Sequence, residues 1–199
     1  MSGHAEHSFA TPGPAGLGAL AVACFGFGAV FLGQVKLEGL PLLAAWLVGG
    51  GIVQYTVAVI ELKDHNLTGG NVFLFFSAFF MFGASLSVFA KFMLVKFGMT
   101  PHAVVEGWCW LAGALFLTGA TPAYLKSTKL LFTIVVLLDI ALWLICLLDL
   151  GKINPATYKP VVAYLLIASG AIASYIVAAI MTNEAFGRSV LPLPGPFAK

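Results

Sequence analysis

Charge is scarce in this sequence. Lysine, arginine, aspartate and glutamate make up 9% of its 199 residues, against roughly 25% in an ordinary soluble domain. Apolar residues make up 60%, more than a soluble globule of this length can hide. That combination excludes a water-soluble fold. Cysteine is scarce too. Cys24, Cys109 and Cys146 each fall inside an apolar run, with no CxxC spacing, which argues against a disulfide framework or a zinc site and reads as small, buried apolar filler. Catalytic signatures are missing: no GxSxG, no HExxH, no Walker loop and no paired carboxylates. The expectation is a protein that is not an enzyme and uses no cofactor or metal. No segment is suited to binding ATP, which argues against a primary pump. A net charge of +2 leaves no nucleic-acid footprint. The first 13 residues hold neither lysine nor arginine and no apolar run, so no cleavable leader is expected there.

What the chain does have is long apolar runs. A spanning helix needs about 20 mainly apolar residues, and six segments qualify: 14–33, 40–60, 71–95, 103–121, 128–150 and 160–182. Short polar connectors separate them, and the alternation of a barrel is absent. The expected fold is an all-α integral membrane protein. It is a compact, channel-like bundle of six transmembrane helices per protomer, one domain over 1–199 with a polar N-terminal tail (1–13) and a proline-rich C-terminal tail (184–199). An even number of spans puts both termini on one side. Lys63, Lys126, Lys129, Arg188 and Lys199 fall on that side, and Lys36, Lys91, Lys96, Lys152 and Lys159 on the other. This tie leaves orientation unassigned by positive charge. Glycine and alanine crowd the spans, as at Gly26, Gly28, Gly49 to Gly51 and Gly170. In lipid they let helices approach closely or leave room along a pore.

Polar groups at membrane depth are costly and therefore informative. Asp139 lies mid-span with no cation nearby in sequence. Three readings stand for it: a protonated acid bonded between helices, a group facing a wet path or protomer interface, or a proton relay. Gln54 can donate and accept, so it either joins helices or contacts a substrate in the pore. Ser77, Ser85, Ser87, Ser169 and Ser174 are expected to bond back to their own helices. Glu61 and Glu106 sit at span ends, where interfacial solvation accounts for them. The histidines, His4, His7, His65 and His102, lie in tails or loops. Arg188 is four residues after Glu184, a spacing that pairs charges on a helix.

Three stretches share an order and spacing that point further. TPGPAGLG (11–18) resembles an Asn-Pro-Ala-Pro-Leu-Gly-Leu signature. GGIVQYTVAVIELKDHNLTGGNVFLFFSAFF (50–80) resembles a Gly-Gly-x-x-Gln helix end, a closing acid, a His-Asn turn and an aromatic third helix. NEAFGRSVLP (183–192) is similar to Asn-Glu-x-Phe-Gly-Arg-x-x-Leu-Pro. Together, over nearly the whole chain, they resemble the succinate/acetate–proton symporter family, the YaaH-type acetate transporters. The resemblance implies a hexamer whose protomers each enclose a narrow path, carrying acetate, and succinate in some members. The family's hydrophobic constriction falls on Leu20, Phe76 and Leu137, and a selectivity position falls on Ala173. Leu20 stands for an aromatic and Phe76 for a tyrosine, which implies a wider, drier neck. Thr11, Gly13 and Ala15 depart from the signature, while Pro12, Pro14, Gly16 and Leu17 keep it.

The prolines then acquire a mechanism. Proline suits a helix start, where N–H groups have no intrahelical partner. Pro12 and Pro14 would stiffen that start, and free first-turn N–H groups with the helix dipole behind them would draw a carboxylate into a vestibule. Beyond it, an apolar neck rejects the charged end of the substrate. Passage as the neutral acid, or with a proton held by Asp139, removes that cost. The expected partners are a small carboxylate, protons, the bilayer and other copies of the chain. The expected location is the cell's inner (plasma) membrane, with both termini cytoplasmic. A urea or short-amide channel of similar six-helix, hexameric form is the alternative within transport, and a membrane protein without flux is the alternative outside it.

Overall fold

The computed structural model describes residues 10–198; His4, His7 and most of the N-terminal tail lie outside them. Local chemistry sets each helix boundary. The first helix, α1 (Gly13–Phe31), starts with Pro12 at its N-cap and Pro14 in its first turn. A short 3₁₀ turn leads into α2 (Leu40–Lys63). Asn66 caps α3 (Leu67–Phe75), accepting from the Gly69 N–H at 3.0 Å. This cap starts the third span four residues before the expected 71. A π-helix over Phe76–Gly83 joins α3 to α4 (Ala84–Lys96). The fourth span is α5 (Val104–Ala120), extended by a 3₁₀ turn over Thr121–Lys126. Thr128 caps α6 (Lys129–Asp149) and Asn154 caps α7 (Pro155–Phe186). All six spans are long and apolar enough to cross a membrane. Large apolar side chains such as Trp46, Ile52, Leu86 and Leu115 face outward, as lipid requires.

A longer last span corrects the expected C-terminal tail. α7 runs from Pro155 because Asn154 caps it through the Ala156 N–H at 2.9 Å, and it tolerates Pro160 in its second turn. It ends at Gly187, whose φ of 59° is left-handed, a conformation glycine adopts without penalty. The proline-rich tail therefore begins after Phe186 rather than at 184. Arg188 lies past the helix end, so the four-residue spacing to Glu184 no longer aligns the two, and among the described residues no ion pair joins them. The tail folds back instead. Asn183 holds it through the N–H groups of Val190 (2.7 Å) and Leu191 (2.9 Å). The Tyr175 hydroxyl donates to the Pro192 carbonyl at 2.9 Å. The N–H groups of Phe197 and Ala198 reach the Leu125 carbonyl, tying the tail to the α5–α6 junction.

Glycines set the closest helix contacts. A Cβ on Gly28 would stand 2.7 Å from Ile167 of α7, and one on Gly51 would stand 2.8 Å from the Phe82 ring. Ser77 and Ser85 donate across to α2, to the carbonyls of Gly51 (3.1 Å) and Ala44 (2.8 Å). The serines of the third span thus bond between helices, contrary to expectation. Ser169 and Ser174 do bond back within α7. The glycine run of α2 is the seat of the π-helix: Met81 and Phe82 pack on Gly50 and Gly51.

Candidate functional site

Two cavities enter the bundle from opposite ends. The first, ≈ 460 Å³, opens where α1 begins, among Thr11, Gly13, Glu61 at the end of α2, Tyr124 after α5 and Thr128 before α6. The second, ≈ 580 Å³, opens where α1 ends, among Phe31, Lys91, Glu106, Asp149 and Lys159. Both lie in the ~300–1,000 Å³ range of small-molecule sites. The α1, α5, α6 and α7 spans and the aromatic third span each line one cavity with one half and the other cavity with the other half.

An apolar barrier separates them. Leu20, Phe76 and Leu138 face the first cavity; Phe27, Phe80 and Ile145 face the second. From Leu20 to Phe27, and again from Leu138 to Ile145, the helix rises about 10 Å. Ring contacts fill the gap. Phe76 and Phe80 meet edge-on at 5.6 Å, Phe80 lies 5.5 Å from Phe27, and Phe75 stacks on Phe116 at 4.2 Å. Leu20, Phe76, Phe80 and Leu138 are each 6% exposed or less, so the barrier is closed. The π-helix begins at Phe76, at the barrier itself, and such turns recur at functional sites.

Of the constriction residues read from sequence, Leu20 and Phe76 line the first cavity and Leu137 does not. Its neighbour Leu138 does. One residue along a helix turns a side chain by about 100°, which leaves Leu137 half-buried and outside both cavities. Ala173 is fully buried and lines neither cavity; it falls on α7 between Leu166 of the second cavity and Ile176 of the first.

Gln54 reaches the first cavity from α2. It is 1% exposed, and its Nε2 donates to the Gly16 carbonyl at 3.4 Å. Its buried Oε1 has no partner among the described residues. An unpaired buried acceptor costs ~1–3 kcal/mol, so this oxygen favours a visitor that brings a donor. The hydroxyl of an undissociated carboxylic acid is such a donor; a carboxylate is not.

The proline stretch behaves differently from expectation. Pro12 and Pro14 shape the start of α1, but the first-turn donors are already used. The Gly13 N–H reaches Thr11 Oγ1 at 3.4 Å, and the Ala15 and Gly16 N–H groups turn back to the Pro12 carbonyl at 3.0 and 3.4 Å. Pro14 has no N–H to offer. Free backbone donors for an anion are therefore not what this turn supplies. Leu17 lines the cavity, while Gly16 makes room for the Phe73 ring, which a Cβ would meet at 2.6 Å.

Asp139 also lies outside both cavities. It accepts from the Thr118 hydroxyl at 2.7 Å, and the Trp143 N–H donates to the same hydroxyl at 3.0 Å. The three groups bridge α5 and α6, and Asp139 lines neither cavity. Distance along the chain hid from the sequence reading what the acids at the span ends meet. Glu61 accepts from the Asn66 side chain at the first mouth. Glu106 accepts from Ser87 and Lys91 at the second, where Asp149 and Lys159 join it. Their common signal is position: each is an ionisable or amide group within a turn or two of a span end. Cys109 is exposed rather than buried and lines the second cavity.

Comparison with known proteins points the same way. The model of the GPR1/FUN34/yaaH family matches residues 1–195. The succinate-acetate/proton symporter SatP of Escherichia coli K12 is 28% identical over 190 residues, covering 92% of this chain and 95% of that protein. SatP of Shigella flexneri matches to the same extent. A solved structure described as that of the bacterial acetate channel SatP superposes with a TM-score of 0.79 at 25% identity, over 93% of this chain and 99% of the other.

Proposed function

The chain belongs to the GPR1/FUN34/yaaH family, and from that premise we propose that it carries acetate and similar short carboxylates, succinate among them, across a membrane with a proton. The observation that carries this reading is the pair of cavities divided by a closed aromatic barrier, with Gln54 beside it. Leu20, Phe76 and Leu138 form the neck on one side. A carboxylate loses several kcal/mol of hydration in such a neck. The neutral acid loses far less, and the free Gln54 oxygen suits its hydroxyl. Flux therefore rises as pH falls toward the pKa of the acid. Similarity to SatP, named as a proton symporter and as an acetate channel, supports both the substrate and the proton. Gln54 would also accept from urea, and the alternative of an amide channel is met by including urea as a test substrate.

The working unit in this reading is one domain, assembled as a homo-oligomer, a hexamer, in the inner (plasma) membrane with both termini cytoplasmic. The Asp139–Thr118–Trp143 group supports assembly, because it sets an ionisable group beside the exposed Thr118 on the outside of a single copy, and an ionisable side chain at membrane depth is costly against lipid. The test is labelled-acetate uptake into proteoliposomes at about pH 5 and about pH 7.5, values spanning the ordinary range of carboxyl titration upward, with succinate and urea in parallel. Acetate flux above protein-free vesicles that rises at the lower pH is expected. Urea flux without acetate flux overturns the carboxylate assignment.

A further inference from the structure

The second cavity holds a charge cluster that the neck does not require. Glu106, at the start of α5, accepts hydrogen bonds from Ser87 and from Lys91, both on α4. Asp149, the last residue of α6, is half-buried and feels the charges of Lys91, Glu106 and Lys159. It accepts no hydrogen bond from any described residue. All four ionisable groups line the same cavity, and their formal charges cancel. Cys146 on the same helix also senses Asp149, but its thiol donates to the Gly107 carbonyl at 3.3 Å.

We propose that this cluster loads the proton onto the substrate: Lys159 and Lys91 hold the incoming carboxylate, and Asp149 gives it the proton with which it crosses the aromatic barrier. The inference rests on the carboxylate reading above. Glu106 is committed to two donors, Ser87 and Lys91. Asp149 has no such bonds to break, so it is the carboxyl free to carry a proton. The step balances simply. Asp149 takes a proton from water at the mouth as the anion arrives, so the cluster gains one negative and one positive charge. The proton passes to a carboxylate oxygen of the substrate, and Asp149 returns to its anion between the lysines. The neutral acid no longer satisfies the lysines and moves into the apolar neck, toward Gln54 Oε1.

The pH profile of labelled-acetate flux in proteoliposomes, corrected for protein-free vesicles, tests this. At about pH 4.5, near the ordinary carboxyl pKa, much of the acid is already neutral, and Asp149→Asn is expected to match the unaltered protein. At about pH 7 the variant should fall by about a hundredfold, the low end of what a placed proton donor contributes. Asp149→Glu keeps a titrating carboxyl and should retain most of the flux at neutral pH. Lys159→Gln should raise the half-saturating acetate concentration at neutral pH. An Asn variant that follows the unaltered profile at both pH values overturns the inference and leaves the carboxylate reading standing. Equal loss at both pH values also overturns it, because Asp149 is then structural, and so does a folded Glu variant as poor at neutral pH as the Asn variant. An unchanged half-saturation in Lys159→Gln removes that lysine from the site. Absence of acetate flux in the unaltered protein is the separate result that sinks the carboxylate reading itself.

Discussion

The two cavities share most of their helices and offer a substrate different things. The first ends in a buried amide, Gln54, with the Glu61–Asn66 pair nearer its mouth. The second sets two lysines and two carboxylates at its mouth and aromatic rings at its depth. An ion is met by ions at one end and a neutral molecule by a lone acceptor at the other. What separates them is a slab of side chains too apolar for either charge to cross cheaply. In the proposal above, the change of protonation state falls on the side where the charges are.

Breaking the barrier should have the largest effect. Phe76→Ala removes the ring that meets both Phe75 and Phe80 and joins the cavities. Acetate flux is expected to rise about tenfold, ~1.4 kcal/mol of barrier, with succinate gaining more than acetate. Labelled uptake of both acids checks it, and an unchanged ratio would place the selective step elsewhere. Next in size is Gln54→Leu, which keeps volume and removes the free acceptor. Flux at low pH should fall about fivefold, ~1 kcal/mol for one hydrogen bond, read as uptake against substrate concentration. A variant that is faster than the parent would show that the amide obstructs rather than guides. Smallest is Asp139→Asn, which leaves an oxygen to accept from Thr118. Transport should stay within about twofold, ~0.4 kcal/mol, as for a substitution away from any special site. Loss of its pH dependence would move the proton site out of the second cavity.

Much of the architecture was readable because lipid imposes it. Apolar runs of the right length, separated by polar connectors, leave few options but spanning helices. Boundaries were less readable where a cap decided them, as Asn66 and Asn154 did. Of the residues read as a neck, Leu20 and Phe76 line the first cavity while Leu138 lines it in place of Leu137, because an apolar helix surrounded by apolar partners carries no polar face to fix its rotation. Gln54 was legible as polar at depth, but its unpaired oxygen was not. Asp139 drew attention for the same reason as Gln54 and proved to bond outward, to Thr118. Depth in the bilayer is written in the sequence; the direction a side chain points is not.

The sequence alone therefore determined the solvent, the number of spans and the family. Each follows from composition, run length or local motif. Only the tertiary structure decided that Lys91, Glu106, Asp149 and Lys159 share one cavity, that the first-turn donors of α1 are spent on Thr11 and Pro12, and that the aromatic run winds as a π-helix against the glycines of α2. These depend on which helices meet and in what rotation, and that is settled by packing across residues far apart in the chain.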